Sequence, residues 1–168
     1  MVIKYVGKLS LKYKIYNMIT IEDFKIKQPN KVRFIGLDLG SKRIGVSICD
    51  ERQSIATPFK TINKTNTNEL IDELKIIIEE NNIGGIIVGN PLNMDGTMGR
   101  SAQSVNDVAS NISKNIDLPV ILWDERLSTV GAFNLSSLLD VNVSKRVKTI
   151  DQNAAAFILQ GAIDFLNN

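Results

Sequence analysis

From about residue 32 onward, short apolar runs with strand character alternate with longer amphipathic stretches, whereas the first 30 residues show no such order. Val32–Leu39 reads as a strand that stops at Gly40-Ser41, and Arg43–Cys49 as a second strand after a tight turn. Ile55–Ile62 reads as a third, with Pro58 marking an edge or a bulge because proline cannot donate to a ladder. Glu69–Glu80 carries apolar residues at helical spacing, and Ile83–Val88 behind it is a short buried strand. Thr97–Ile116 reads as a more polar helix and Leu118–Trp123 as a further strand. Ser128–Leu139 reads as a helix that Ser128 can cap. Val141–Thr149 is expected to be a basic loop, and Ile150–Leu166 the last helix.

Three meandering strands followed by alternating strands and helices predict an α/β fold, a mixed five-stranded sheet flanked by helices. Its 168 residues suffice for one domain with a hydrophobic core. That domain is expected over residues 31–168, preceded by a basic extension at residues 1–30. The extension holds six lysines against Glu22 and Asp23, while the remaining chain holds 14 basic and 16 acidic residues. A body so close to neutral does not read as a non-specific nucleic-acid coat, although a local basic patch can still bind one. Met18 offers an alternative start, and a targeting peptide is the weaker reading of what precedes it, since that stretch has no arginine and no small-residue cleavage site. No apolar run reaches the roughly 18 residues of a membrane span, so no membrane partner is expected. Cys49 stands alone and lies in an apolar alternation, which points to a small buried hydrophobe in a reducing cytoplasm.

The chain contains no histidine. That excludes Ser-His and Cys-His nucleophile pairs and every histidine-containing zinc site. Any chemistry near neutral pH falls to carboxylates, lysines or a bound metal. Three acids stand out. Asp38 lies inside the apolar run Phe34-Ile35-Gly36-Leu37-Asp38-Leu39-Gly40, where a carboxylate needs a cation, hydrogen bonds or a proton. On its own it reads equally as the residue that opens the Gly40-Ser41 turn. Glu125 follows the strand ending at Trp123, and ligands of open α/β sheets gather beyond the carboxyl ends of strands. Taken alone, it reads better as part of a solvated turn. Asp151 shares a helical face with Ala154, Ala155 and Ile158, small and apolar residues that let a helix approach the sheet closely. A simple capping role at the helix start is the alternative. If the three converge, they suit a hard divalent cation, one or two Mg²⁺ or Mn²⁺ about 4 Å apart, and phosphodiester hydrolysis.

Four segments carry a resemblance to a known family: Gly36-Leu37-Asp38-Leu39-Gly40-Ser41-Lys42-Arg43-Ile44-Gly45-Val46, Val88-Gly89-Asn90-Pro91-Leu92-Asn93-Met94-Asp95-Gly96-Thr97, Trp123-Asp124-Glu125-Arg126-Leu127-Ser128-Thr129 and Ile150-Asp151-Gln152-Asn153-Ala154-Ala155. The chain resembles the YqgF/RuvX family of Holliday-junction-resolvase-like proteins and pre-16S rRNA nucleases, over about Lys31 to Leu166. The first segment alone is weak, because sugar-kinase and actin-like ATPases carry a similar phosphate loop. The second and third together are specific. The resemblance implies a ribonuclease H-like fold, a bacterial cytoplasmic location, and a role in maturing the 5′ end of small-subunit ribosomal RNA. It assigns Asp38, Glu125 and Asp151 as the catalytic, metal-binding acids, and it says nothing of residues 1–30.

Around these acids, the glycine-punctuated loop Asn90–Arg100, with Asn93, is expected to touch a nucleic-acid backbone. Lys42, Arg43, Arg126, Lys145, Arg146 and Lys148 are candidates to neutralise phosphates. Three functions follow: a metal-dependent nuclease acting on structured precursor rRNA, a resolvase of branched DNA, and a ribosome-associated RNA-binding protein with little catalysis. An actin-like ATPase would need a second phosphate loop and a larger, duplicated domain. The spacing does not choose between a monomer and a homodimer.

Overall fold

The computed structural model describes residues 18–127 and 143–168, giving only the backbone path for residues 143–152. The strands are β1 (Met18–Ile19), β2 (Arg33–Leu39), β3 (Arg43–Cys49), β4 (Ala56–Asn63), β5 (Ile83–Asn90) and β6 (Val120–Asp124). The helices among the described residues are α1 (Ile21–Ile26), α2 (Thr67–Asn81), α3 (Arg100–Asn115) and α4 (Val143–Asn167). A 3-10 turn, Glu125–Leu127, follows β6 directly. The strands form one sheet in the order β1-β6-β5-β2-β3-β4. The meander β2-β3-β4 is antiparallel, while β5, β6 and β1 add in parallel beside β2.

Period-two alternation sends the side chains of each strand to two separate cores. Ile35 and Leu37 of β2, with Ile86 and Val88 of β5, pack under α2 and α3. Phe34 of β2, Ile87 of β5 and Trp123 of β6 face α4 and α1. Fully burying such side chains contributes roughly 1.5–3 kcal/mol each. By the same alternation Gly36 and Asp38 lie on the α4 side of β2, and Gly89 on the α4 side of β5. Gly36 makes the close packing there feasible: a Cβ at that position would lie 2.7 Å from Leu159 Cβ and 2.8 Å from the Ala155 carbonyl oxygen. The same carbonyl accepts a hydrogen bond of 2.7 Å from the buried Ser47 hydroxyl of β3, pinning α4 to the sheet.

Among the described residues the sheet has six strands rather than the five expected. The sixth is β1, whose two residues pair with Val120 and Ile121. The helix after it is capped by Thr20, which accepts from the Asp23 amide at 3.1 Å, and inserts Phe24, 1% exposed, edge-on against Phe34. Met18–Ile26, expected to lie in the basic extension, therefore belong to the sheet and its core, whereas residues 1–17 lie outside the described residues. The second correction is at the other end. The expected basic loop Val141–Thr149 is helical from Val143, which places Lys145, Arg146 and Lys148 on α4 rather than on a loop, and Asp151 eight residues into the helix rather than at its start. Val143, Val147 and Ile150 recur at helical spacing, a signal hidden by the charged residues between them. The helix expected at Ser128–Leu139 falls outside the described residues. Pro58 matches its expectation: β4 is an edge strand, and its register with β3 shifts between Val46 and Ser47.

Candidate active site

Asp38 is the penultimate residue of β2, on the face covered by α4. The neighbouring strand β5 runs parallel, with Leu37 opposite Val88, so Asp38 comes alongside Gly89 one step further on. On the other side of β5, Trp123 of β6 pairs with Gly89 and Asp124 with Asn90. Glu125 then leaves the sheet in the 3-10 turn, and its side chain folds back across β5. A Cβ built on Gly89 would lie 2.5 Å from Glu125 Oε1 and 2.4 Å from Ile158 Cδ1 of α4. The carboxylate of Glu125 thus occupies the space over a glycine, with an isoleucine beside it and Asp38 on the next strand.

The electrostatics agree with this placement. The Glu125 carboxyl is pushed up to about 7, first by burial, then by the negative charge of Asp38 and, to a lesser extent, of Asp124. Two acids, one on β2 and one in the turn just past β6, therefore share one partly dry region, and their mutual repulsion calls for a proton or a cation between them. Asp124 itself is held below the usual carboxylate range, chiefly by its hydrogen bonds from Arg126.

Asp151 lies on α4, one turn before Ala155. The direction of α4 follows from its far end, where Asn167 donates to the Gln53 carbonyl at 2.8 Å and Gln160 accepts from the Ala56 amide at 2.8 Å. Both partners flank the β3–β4 turn, beside the start of β2, so the helix runs antiparallel to β2 and its earlier turns lie toward the Asp38 end. Among the described residues no three metal-ligating side chains gather. The side chain of Asp151 is outside that set.

The expected phosphate-binding residues divide into three groups. Lys42 is exposed and Arg43 half-buried at the β2–β3 turn, on the Asp38 edge of the sheet. Asn93 and Arg126 are exposed but bonded to the protein's own groups: Asn93 Nδ2 donates to Thr97 Oγ1 at 2.8 Å, and Arg126 grips Asp124. Lys145, Arg146 and Lys148 line up along the first turns of α4, and their side chains lie outside the described residues. Two contributors escaped the sequence reading, Gly89 and Asp124. For Gly89 the signal was available, since a glycine stands where alternation aims a strand residue at the face carrying Asp38.

Solved structures share this architecture. RuvC of Thermus thermophilus superposes with a TM-score of 0.52 at 9% identity, covering 79% of this chain and 94% of that one. The yeast mitochondrial Holliday junction resolvase Ydc2 gives 0.50 at 14% identity, covering 86% and 83%. The shared fold is ribonuclease H-like. Among sequence relatives, a protein of Pelagibacter ubique (strain HTCC1062) is 95% identical over 151 residues, 90% of this chain and all of the relative. One from Sphingopyxis alaskensis (strain DSM 13593 / LMG 18877 / RB2256) is 45% identical over 142 residues, 84% of this chain and 93% of the relative. Both bear the name "Putative pre-16S rRNA nuclease". Residues 32–165 match the family described as "RuvX: Holliday junction resolvase", and the chain belongs to that family.

Proposed function

We propose that the protein is a metal-dependent nuclease that hydrolyses a phosphodiester bond of structured precursor rRNA, in maturing the 5′ end of the small-subunit RNA. One observation carries the chemistry: the Glu125 carboxyl is seated over Gly89 and raised to about 7 by burial and by Asp38. That pairing of acids at the carboxyl edge of a sheet, in a chain without histidine, fits an oxygen-ligated hard cation. Asp38 and Glu125 would hold Mg²⁺ or Mn²⁺, with Asp151 supplying a third carboxylate from α4. When bound, the metal supplies charge stabilisation on the phosphate and a more acidic water. The protein's own residues do the rest. Asp38 is fixed by its strand, and Glu125 is held in the Gly89 niche with the apolar Ile158 beside it. Lys42, Arg43 and the basic first turns of α4 would neutralise substrate phosphates around the acids. The precursor-rRNA assignment follows the names of the relatives, and a cytoplasmic site of action follows from that substrate. No helix of the described residues is long and apolar enough to cross a membrane.

A second reading, resolution of branched DNA, is favoured by the family description and by the likeness to RuvC, solved from Thermus thermophilus in complex with a Holliday junction substrate. Phosphate and metal contacts serve both substrates alike. The deciding experiment compares cleavage of precursor rRNA and of a four-way DNA junction, with Mg²⁺, with chelator, and with Mg²⁺ restored. Metal-dependent cutting of the rRNA alone supports the first reading and of the junction alone the second. Tight RNA binding without cutting would leave an RNA-binding protein.

A further inference from the structure

The guanidinium of Arg126 joins two segments that are far apart in sequence. Its Nε lies 3.0 and 3.1 Å from the two carboxylate oxygens of Asp124, and its Nη2 is 2.6 Å from Asp124 Oδ2. The Arg126 amide adds a bond of 3.0 Å to Asp124 Oδ1. Pointing the other way, Nη1 donates to the Met94 carbonyl at 3.3 Å. Met94 belongs to the connection between β5 and α3, which is itself tightly knotted. The Asn93 amide donates to the Thr97 carbonyl at 3.0 Å and the Gly96 amide to the Asn93 carbonyl at 2.8 Å. Asp95 Oδ1 accepts from both the Thr97 amide (2.9 Å) and the Thr97 hydroxyl (2.6 Å). Gly96 adopts φ +85°, and a Cβ there would lie 3.3 Å from Arg126 Nη1, so the backbone of the turn rests directly on the guanidinium. At the crest Met94 is 90% exposed.

We infer that Arg126 is a positioning residue: it locks the 93–97 turn onto the end of β6 and so fixes that turn relative to Glu125, the next residue along the chain. This rests on the nuclease reading of the Glu125 site, and it replaces a direct phosphate contact for Arg126. A planar fork suits the task, since one edge takes a carboxylate while the opposite nitrogen reaches a carbonyl. A lysine has the charge but cannot span both partners. Without the lock, the turn stays knotted yet is no longer indexed to the acid, and small misplacements of substrate-positioning elements carry large rate penalties.

The test uses the full chain with Arg126→Gln and Arg126→Lys. Three quantities are read: hydrogen exchange of amides 93–97, the salt dependence of binding to an RNA hairpin with a single-stranded 5′ extension in chelator, and kcat with KM on precursor rRNA with Mg²⁺. Both variants should speed exchange in the turn and lower kcat on the order of tenfold to a hundredfold. The salt slope of binding should stay at the wild-type value. A slope reduced by about one phosphate, with exchange unchanged, would mean that Arg126 contacts the substrate instead. Full rescue by lysine, or unaltered exchange and kcat, also overturns the lock. Should Arg126→Gln fail to fold, Asp124→Asn weakens the same fork and takes the same readouts. Exchange and salt slope need no turnover, so they judge Arg126 even if the wild type cuts nothing and the nuclease reading falls.

Discussion

Glu125 occupies the space that a side chain on Gly89 would fill, its Oε1 lying 2.5 Å from where a Cβ would be. The acid needs the glycine, because the strand must leave a niche for a carboxylate arriving from the next strand. Gly89→Ala should therefore push aside Glu125, Ile158, or both. Overpacking of this kind costs about 1–3 kcal/mol, so the melting temperature should fall by several degrees, and cleavage should fall much further than stability does. Paired melting and kinetic measurements check this. An alanine variant with wild-type rates would show that the niche is not needed.

The meander, α2, α3 and the strands β5 and β6 were all legible in the sequence, because each is long enough to repeat its period several times. The acids Asp38 and Glu125 were visible in the sequence as candidates, but each alone read at least as well as a turn residue, and only the family resemblance joined them. What brings them together was not legible, since the approach of Glu125 to Asp38 depends on strand order and on the small side of β5. The strand β1 was hidden for a different reason. Two residues, Met18 and Ile19, carry no periodicity, and they are a strand only because β6 offers them an edge. The α1 helix buries only Ile21 and Phe24 and leaves Ile26 exposed, too little pattern to rise above the lysines around it. At the other end, charged residues at 145, 146 and 148 masked a helical stripe and moved the apparent helix start to Ile150.

The same basic turns carry a prediction about substrate. Replacing Lys145, Arg146 and Lys148 together by glutamine should weaken RNA binding and flatten its dependence on salt. Each lost phosphate contact removes close to one unit of slope. A binding titration across salt concentrations checks it, with folding followed by circular dichroism, since the three lie on α4. Equal affinity and equal slope would make them solvating surface.

Acidity offers an independent handle on the site. Glu125 titrates near 7 in the folded chain, above its ordinary value of 4.5. Between those values the folded state holds a proton that the unfolded state has lost, so stability falls as pH rises through this window. Full conversion of the shift gives about 3 kcal/mol, and the partial exposure of Glu125 reduces this to roughly 1–2 kcal/mol. Metal-free protein should therefore melt at lower temperature near pH 8 than near pH 5, by more than a Glu125→Gln variant does. Added Mg²⁺ should remove most of the difference by binding the ionised form. A metal-free stability profile identical in wild type and Glu125→Gln would contradict the burial of this carboxyl against Asp38.

The last prediction separates the charge of Asp38 from its shape. Asp38→Asn retains the size of the side chain on a strand whose neighbours are tightly packed, so the fold should survive. It removes one of the negative charges that raise Glu125, so Glu125 should titrate closer to its ordinary value. Relieving that repulsion should leave the metal-free variant as stable as wild type or more so near neutral pH. With Mg²⁺ the order should reverse, because wild type gains stability from the bound ion in proportion to its occupancy and the variant gains little. Cleavage of precursor rRNA should be abolished. Melting curves of both proteins, with and without Mg²⁺, and a cleavage assay with a chelator control read all of these effects. The chelator control matters because a contaminating ribonuclease would cut in both samples and would not stop when metal is withdrawn. If Asp38→Asn cuts as fast as wild type under metal control, the acid pair is not the nuclease centre and the proposed chemistry is wrong.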